Sequence, residues 1–322
     1  MKCLIIKDWT AIFSLDEKMT RKILGDLVGI YDKEFAKFSS RRGNISYNSI
    51  FSQLGAITPA TLNKHSTYMN MVGPRFLCYS IPEATKEDKD ASYEIIFSKK
   101  DRSELERTVR LYVSSYLEQL SKKKLSISDF DRNIQTYLKI GSELVSKCRG
   151  IVYSQVSSFT DDKGDKVTFY ETNGVQVESP WRAIQQLITL SKLLAFVTGK
   201  NSVETEELEI IKDVVTSSMP ADRAQALRFI KSHNGQITAK ELSELSERST
   251  KTSLRLLNEL CALDVLTKTK GSGTAPNDYR LSDQFNDFIL LSPSEFLKKV
   301  SETKTPQCVE DLSEDEIKGI FT

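Results

Sequence analysis

Histidine is nearly missing from this chain: His65 and His233 are the only two. Five cysteines, Cys3, Cys78, Cys148, Cys261 and Cys308, lie far apart, and none form a CxxC pair. Structural zinc sites draw on close ligand pairs, so a zinc module is excluded as the organising feature. An odd, dispersed set of thiols with no secretion signal reads as reduced cysteine in a cytosol, so a cytoplasmic location is expected. Long apolar runs are lacking too. The longest, Leu193-Leu194-Ala195-Phe196-Val197, falls far short of the ~20 residues that span a bilayer. The apolar stretch after Met1-Lys2 is also shorter than the roughly 7–15 residues of a signal-peptide core. No membrane partner is expected.

Net charge is almost absent, with 45 Lys+Arg against 44 Asp+Glu, formally +1. A wholly basic nucleic-acid coat is thereby excluded, while local patches stay open. No paired carboxylates, Ser-His or Cys-His arrangement or metal cluster with convincing spacing occurs, which argues against a nucleic-acid enzyme with its own site. A phosphate loop reads GxxxxGK[ST], and no such run exists. The nearest echo, Thr198-Gly199-Lys200-Asn201, has Leu194 and Asn201 at two required positions and reads as a helix C-cap.

What is present is enough to fold. The 322 residues are 39% apolar and 28% charged with mean hydropathy −0.34. That length points to two or three domains. Lys2 to Lys7 is a β-rich apolar run ending in Asp8, the pattern of a buried parallel strand with neighbours on both sides. Residues 16–38 read as a helix, Ser39 to Asn48 as a polar stretch, and 49–57 as a second buried strand stopped at Pro59. A short helix over 60–72 and a third strand, Phe76 to Ile81, follow. Pro82 and the charged run 84–90 mark a boundary. Helical spacing then predicts helices over 103–120, 129–153, 181–198 and 206–217, the last capped by Thr205, with a polar loop at 161–165.

The third segment has another rhythm: helix 221–233, strand 236–238, helix 239–245, a Ser249-capped helix to Leu263, then strands 265–270 and 277–282 around the tip 271–276. This is the element order of a winged helix. In such a unit the second helix enters the major groove by its N-terminal end. Here that end offers Lys251, Thr252 and Arg255, with Lys268 and Lys270 at the root of the wing. Arg248 to Arg280 holds six cations and three acids: Arg248, Lys251, Arg255, Lys268, Lys270 and Arg280 against Glu259, Asp264 and Asp278. Binding to duplex DNA is the expectation; the alternative is a protein-docking or purely structural unit.

The segments before it resemble the C-terminal half of an AAA+ ATPase related to minichromosome-maintenance helicases of bacterial and mobile-element type. Lys2-Cys3-Leu4-Ile5-Ile6-Lys7-Asp8 looks like a Walker B strand with one carboxylate in place of the usual pair. Gly55-Ala56-Ile57-Thr58-Pro59 resembles a sensor 1 strand end, Gly73-Pro74-Arg75-Phe76 an arginine-finger motif, and Glu178-Ser179-Pro180-Trp181-Arg182 the opening of a sensor 2 lid helix. The resemblance covers roughly 2–290. It implies Asp8 for Mg²⁺ or the attacking water, Thr58 for the γ-phosphate, Arg75 acting in trans, and Arg182 on the nucleotide.

The expected fold is therefore a partial α/β AAA+ core of parallel strands (1–84), an all-α lid (85–217), a winged helix (218–290) and an acidic tail (291–322), predominantly helical overall. With no phosphate loop, the resemblance implies an N-terminally truncated protein that does not hydrolyse ATP alone. ATP and Mg²⁺ would bind only in a site completed by a Walker A-containing polypeptide. Exposed sheet edges would favour that association or self-association. The alternative is a non-enzymatic DNA-binding regulator or initiator-type module with inert AAA+ remnants. The mixed acidic and apolar tail is either a partner-docking peptide or a helix packed back on the body.

Overall fold

The computed structural model describes residues 2–31, 34–39, 41, 43–48, 51–58, 61, 75–98, 102–160, 166–271 and 276–303. The β-branched opening run forms β1 (Lys2–Ile6), followed by one-turn α1 (Thr10–Phe13) and α2 (Glu17–Tyr31). An antiparallel hairpin, β2 (Glu34–Ser39) and β3 (Gly43–Asn48), comes next, and β4 (Phe51–Gly55) returns parallel to β1, with Lys2 opposite Phe51 and Ile6 opposite Gly55. The expected parallel pairing is present, but among the described residues β1 has a neighbour on one side only, and Leu4, Ile5 and Leu54 are exposed rather than buried. The helix expected over 16–38 ends at Tyr31, however, and the polar stretch 39–48 is half of a hairpin. Asn44-Ile45-Ser46-Tyr47-Asn48 alternates polar and apolar with period two, and Gly43 takes the positive φ of +69° that the turn needs.

A small core of Trp9, Phe13 and Leu24, flanked by Ile6, Ile57 and Phe76, seats this unit. A Cβ at Gly55 would overlap the Trp9 indole, which is why glycine ends β4. The third strand expected over 76–81 does not form. The Cys78 and Ser80 N–H groups donate instead to the hydroxyls of Ser218 (2.8 Å) and Ser217 (3.1 Å), leaving the segment extended but outside any sheet. Nearly all of the helix expected over 60–72 lies outside the described residues.

The charged run expected as a boundary is the start of α3 (Lys86–Phe97), where Thr85 and Asp88 form a reciprocal cap. Then come α4 (Arg102–Lys122) and α5 (Arg132–Cys148), with Asp131 accepting from the Asn133 and Ile134 N–H groups at 2.8 Å. The helix expected to reach 153 stops at Cys148. β5 (Ile151–Thr160) and β6 (Lys166–Gln176) form a long antiparallel hairpin, so the lid is not all-α. Ile151, Val152, Val167, Phe169 and Tyr170 are strand formers whose preference takes over after Gly150. The loop 161–165 is outside the described residues.

α6 (Trp181–Val197), α7 (Thr205–Ser217) and α8 (Ala221–Ser232) follow. Glu204, not Thr205, caps α7, in a reciprocal box with Glu207. Next are β7 (Gln236–Thr238), α9 (Ala239–Ser246), α10 (Thr250–Ala262), β8 (Leu266–Thr269) and β9 (Asp278–Leu281). The three strands make an antiparallel sheet in the order β7-β9-β8. The order and types of these elements match the expectation.

Two further helices follow, α11 (Asp283–Leu290) and α12 (Pro293–Thr303), the second in the region from Ser292 onward, expected as an acidic tail with no clear core pattern. Phe296 is buried and meets Tyr137 edge-on at 5.1 Å, while Phe288 lies 4.7 Å from the same ring. Residues 304–322 lie outside the described set. One continuous core runs from Ile134 through Leu187, Ile211, Leu227 and Leu257 to Phe296, across the 217/218 boundary. Helix predominates, with twelve helices among the described residues. No helix there is long and apolar enough to cross a membrane.

Candidate functional site

Asp8 and Thr58 come together at the carboxyl ends of the parallel pair. The Trp9 N–H donates to the Ala56 carbonyl at 2.9 Å and the Ala56 N–H to Ile6 at 3.1 Å, so the two strand exits leave side by side. The Thr10 N–H donates to Asp8 Oδ1 at 2.8 Å. Hydrogen bonds from the Thr10 hydroxyl and then its N–H hold the Asp8 carboxyl below the ordinary carboxylate value. Thr61 Oγ1 lies 2.9 Å from Thr58 Oγ1 and 3.5 Å from Thr10 Oγ1. The result is an oxygen-only cluster: one carboxylate and three hydroxyls. Hard oxygen donors with a single carboxylate suit Mg²⁺, which keeps most of its shell for water and phosphate. Thr10 and Thr61 belong to none of the motifs singled out in the sequence; their signal is the polar Thr-x-x-Thr spacing after Ile57.

Arg75 and Arg182 form a second group around Tyr31. Gln186 Nε2 donates to the Arg75 carbonyl (3.0 Å) and the Tyr31 hydroxyl (3.1 Å). The Arg182 guanidinium lies 5.9 Å from the Tyr31 ring centroid and pairs with Glu178 at 2.7 Å. The following residues are anchored by Arg149, which donates from Nη2 to the Phe76 carbonyl at 2.9 Å and from Nε to Ser218 at 2.8 Å. Phe76 in turn meets Trp9 edge-on at 5.8 Å, linking this group to the strand ends beside Asp8. Gln186, one turn after Arg182 on α6, is legible in the sequence only as an i,i+4 neighbour.

The third group lies on α10 and β8. Ser249 caps α10, accepting from the Thr252 N–H at 3.2 Å, and its hydroxyl lies 2.8 Å from that of Thr252, so Thr252 is half-buried in the cap. Lys251 and Arg255 are exposed one turn apart, while Ser253, Leu256, Leu257 and Leu260 face the core. Lys268 Nζ lies 5.7 Å from the Tyr279 ring, whose hydroxyl donates to Asn258 of α10 at 3.1 Å. Lys270 is exposed just beyond β8, and residues 272–275 of the tip are outside the described set.

All three acids of this region are engaged: Glu259 by Arg223 (3.3 Å) and Arg255 (3.6 Å), Asp278 by Arg280 (3.0 Å), and Asp264 by Lys147 (3.2 Å). Arg255 is therefore partly neutralised, a pairing that its i,i+4 spacing to Glu259 already offered. The one three-carboxylate group found among the described residues, Glu204, Glu206 and Glu207, already holds a cation. Lys200 Nζ lies 3.1 Å from Glu204 and 3.0 Å from Glu207 and also bonds Glu206. No protein-family model matches this chain, and no curated protein matches it in sequence.

Proposed function

We propose that the segment from α8 to β9 is a winged helix that binds duplex DNA. The observation that carries this reading is the three-stranded β7-β9-β8 sheet beside a capped α10 whose first turns expose Lys251 and Arg255, with Lys268 exposed on β8 and Lys270 just beyond it. A helix N-terminus offers amides to phosphate oxygens, and the cations add a sequence-independent electrostatic term. Titration of a duplex against salt tests it. Lys251→Ala with Lys268→Ala should weaken binding and lower the salt slope by roughly 2, about 0.9 for each phosphate no longer neutralised. An unchanged slope and affinity overturns the reading.

Within the same proposal, Asp8 and Thr58 belong to an AAA+-like nucleotide site, and Arg75 and Arg182 to the edge that faces a neighbouring subunit's ATP. No GxxxxGK[ST] run occurs in the 322 residues, so the phosphate-cradling amides would come from residues outside these, on a Walker A-containing polypeptide. Asp8 would hold Mg²⁺ with the nearby threonine hydroxyls on its water shell, and a bound Mg²⁺ supplies charge neutralisation on the phosphates. Arg75→Ala should abolish ATP hydrolysis by a mixture with such a polypeptide and leave ATP binding intact; hydrolysis unaffected by the change overturns this part. The second reading, a DNA-binding module with inert remnants, is favoured by the internal engagement of Asp8 with Thr10 and of Arg182 with Glu178.

A further inference from the structure

The open face of α10 is not uniformly polar. Thr250, Lys251, Leu254 and Arg255 are exposed, whereas Ser253, Leu256, Leu257 and Leu260 face the core. Leu254 is the one exposed apolar residue of the helix, at 38%. Its helical neighbours are Thr250, Lys251 and Asn258 on the open side and buried Leu257 on the other. Asn258 accepts from the Tyr279 hydroxyl, which fixes that side of the helix against β9. The nearest acid along the helix, Glu259, is taken up by Arg223 at 3.3 Å and Arg255 at 3.6 Å. A single apolar tip therefore stands between two cations on the first turns of α10. Along the helix it extends into no apolar patch of the several hundred Å² that protein or membrane docking sites show.

We infer that Leu254 reads the 5-methyl group of a pyrimidine in the major groove, as a specificity residue of this helix; the inference rests on the DNA reading proposed above. The longer Lys251 and Arg255 side chains suit phosphates, whose contacts position the protein but carry no sequence information. The shorter Leu254 between them meets base edges. The methyl at C5 is the apolar feature that a base pair shows in the major groove, and apolar side chains recognise it. Thymine carries this methyl, and so does 5-methylcytosine. Uracil and unmodified cytosine lack it on otherwise identical edges. Covering one methyl-sized group corresponds to about a fourfold change in affinity.

Selection from a duplex pool with a randomised centre, using the full chain, supplies the probe. Each thymine of the enriched duplex is then replaced by uracil, and each cytosine separately by 5-methylcytosine. Binding should weaken about fourfold where uracil replaces the thymine that Leu254 covers, if thymine is the source. It should strengthen by a similar factor on methylation of a cytosine, if 5-methylcytosine is the source. Leu254→Ala should abolish the methyl effect. The same variant should keep the wild-type salt slope, because no charge is removed, and this shows that it is folded and on DNA. A chain that binds duplexes with a normal salt slope but enriches no sequence, or that ignores both methyl changes, overturns this inference and leaves the DNA reading standing. So does a methyl effect that survives in Leu254→Ala. A chain that binds no duplex overturns both.

Discussion

Gln186 holds the Arg75 backbone in place from a position 111 residues further along the chain, donating to its carbonyl at 3.0 Å. The same nitrogen reaches the Tyr31 hydroxyl at 3.1 Å, and the Tyr31 ring underlies Arg182. One amide thus ties α2, the Arg75 segment and α6 together.

Gln186→Ala should therefore loosen the first unit from the helical body. Loss of these hydrogen bonds should cost about 1–2 kcal/mol of stability, read from urea denaturation. An unchanged midpoint would show that the bonds from Arg149 and to Ser217 and Ser218 hold the segment without Gln186.

Gly55 and Trp9 make a second test. Trp9 is buried and Trp181 is 71% exposed, so in a Trp181→Phe background fluorescence reports on Trp9 alone. Gly55→Val should push the indole out, shift its emission to the red and destabilise the chain by about 1–3 kcal/mol. Unshifted emission would mean that the β1–β4 pair relaxes around the new side chain.

Arg223 is buried and donates from Nη1 to the Cys148 (2.8 Å) and Gly150 (2.6 Å) carbonyls, while Nη2 pairs with Glu259. Its removal leaves two carbonyls and a partly buried carboxylate without this partner. Arg223→Ala should cost about 3–5 kcal/mol. Arg223→Lys should recover only part, because an ammonium lacks the planar fork that spans the three acceptors.

Lys212 gives a pH signature. It is 9% exposed, its Nζ donates to the Leu291 carbonyl, and burial first, then Lys231, pull its pKa down to about 8. The unfolded chain thus binds the extra proton between pH 8 and about 10.4, the ordinary lysine value. The Lys212 contribution to stability should therefore rise with pH across that window. Lys212→Met should flatten this rise in denaturant midpoints measured from pH 7 to 10. The same rise in both proteins would remove Lys212 as its source.

Much of the framework is readable locally. The helices α5, α6 and α8 to α10 follow from apolar spacing and from caps such as Asp131 and Ser249, because helical hydrogen bonds close within four residues. The β1 and β4 runs are legible as strands from their apolar content, but not as buried ones, since Leu4, Ile5 and Leu54 are exposed. The two hairpins are not. Residues 34–38 continue a helical pattern from α2 and 151–153 one from α5, and only the partner strands β3 and β6 turn them into sheet. Strand pairing is non-local, so alternating segments without an obvious turn signal are absorbed into neighbouring helices when read from sequence.

The candidate residues divide along the same line. Their identities, and the adjacency of Asp8 and Thr58 that a parallel pair implies, are present in the order of the amino acids. The engagements of Asp8 by Thr10, Arg182 by Glu178 and Arg255 by Glu259 are local and lie within reach of the spacing, whereas tertiary structure alone decided that Tyr31 lies against Arg182 and Tyr279 against Lys268. It also decided that 76–81 bonds to Ser217 and Ser218 rather than to a strand, and that Leu105, Val109 and Tyr112 of α4 are exposed. The reason is physical: a side chain's type is local, whereas its charge balance and burial depend on whichever distant residues the fold brings against it.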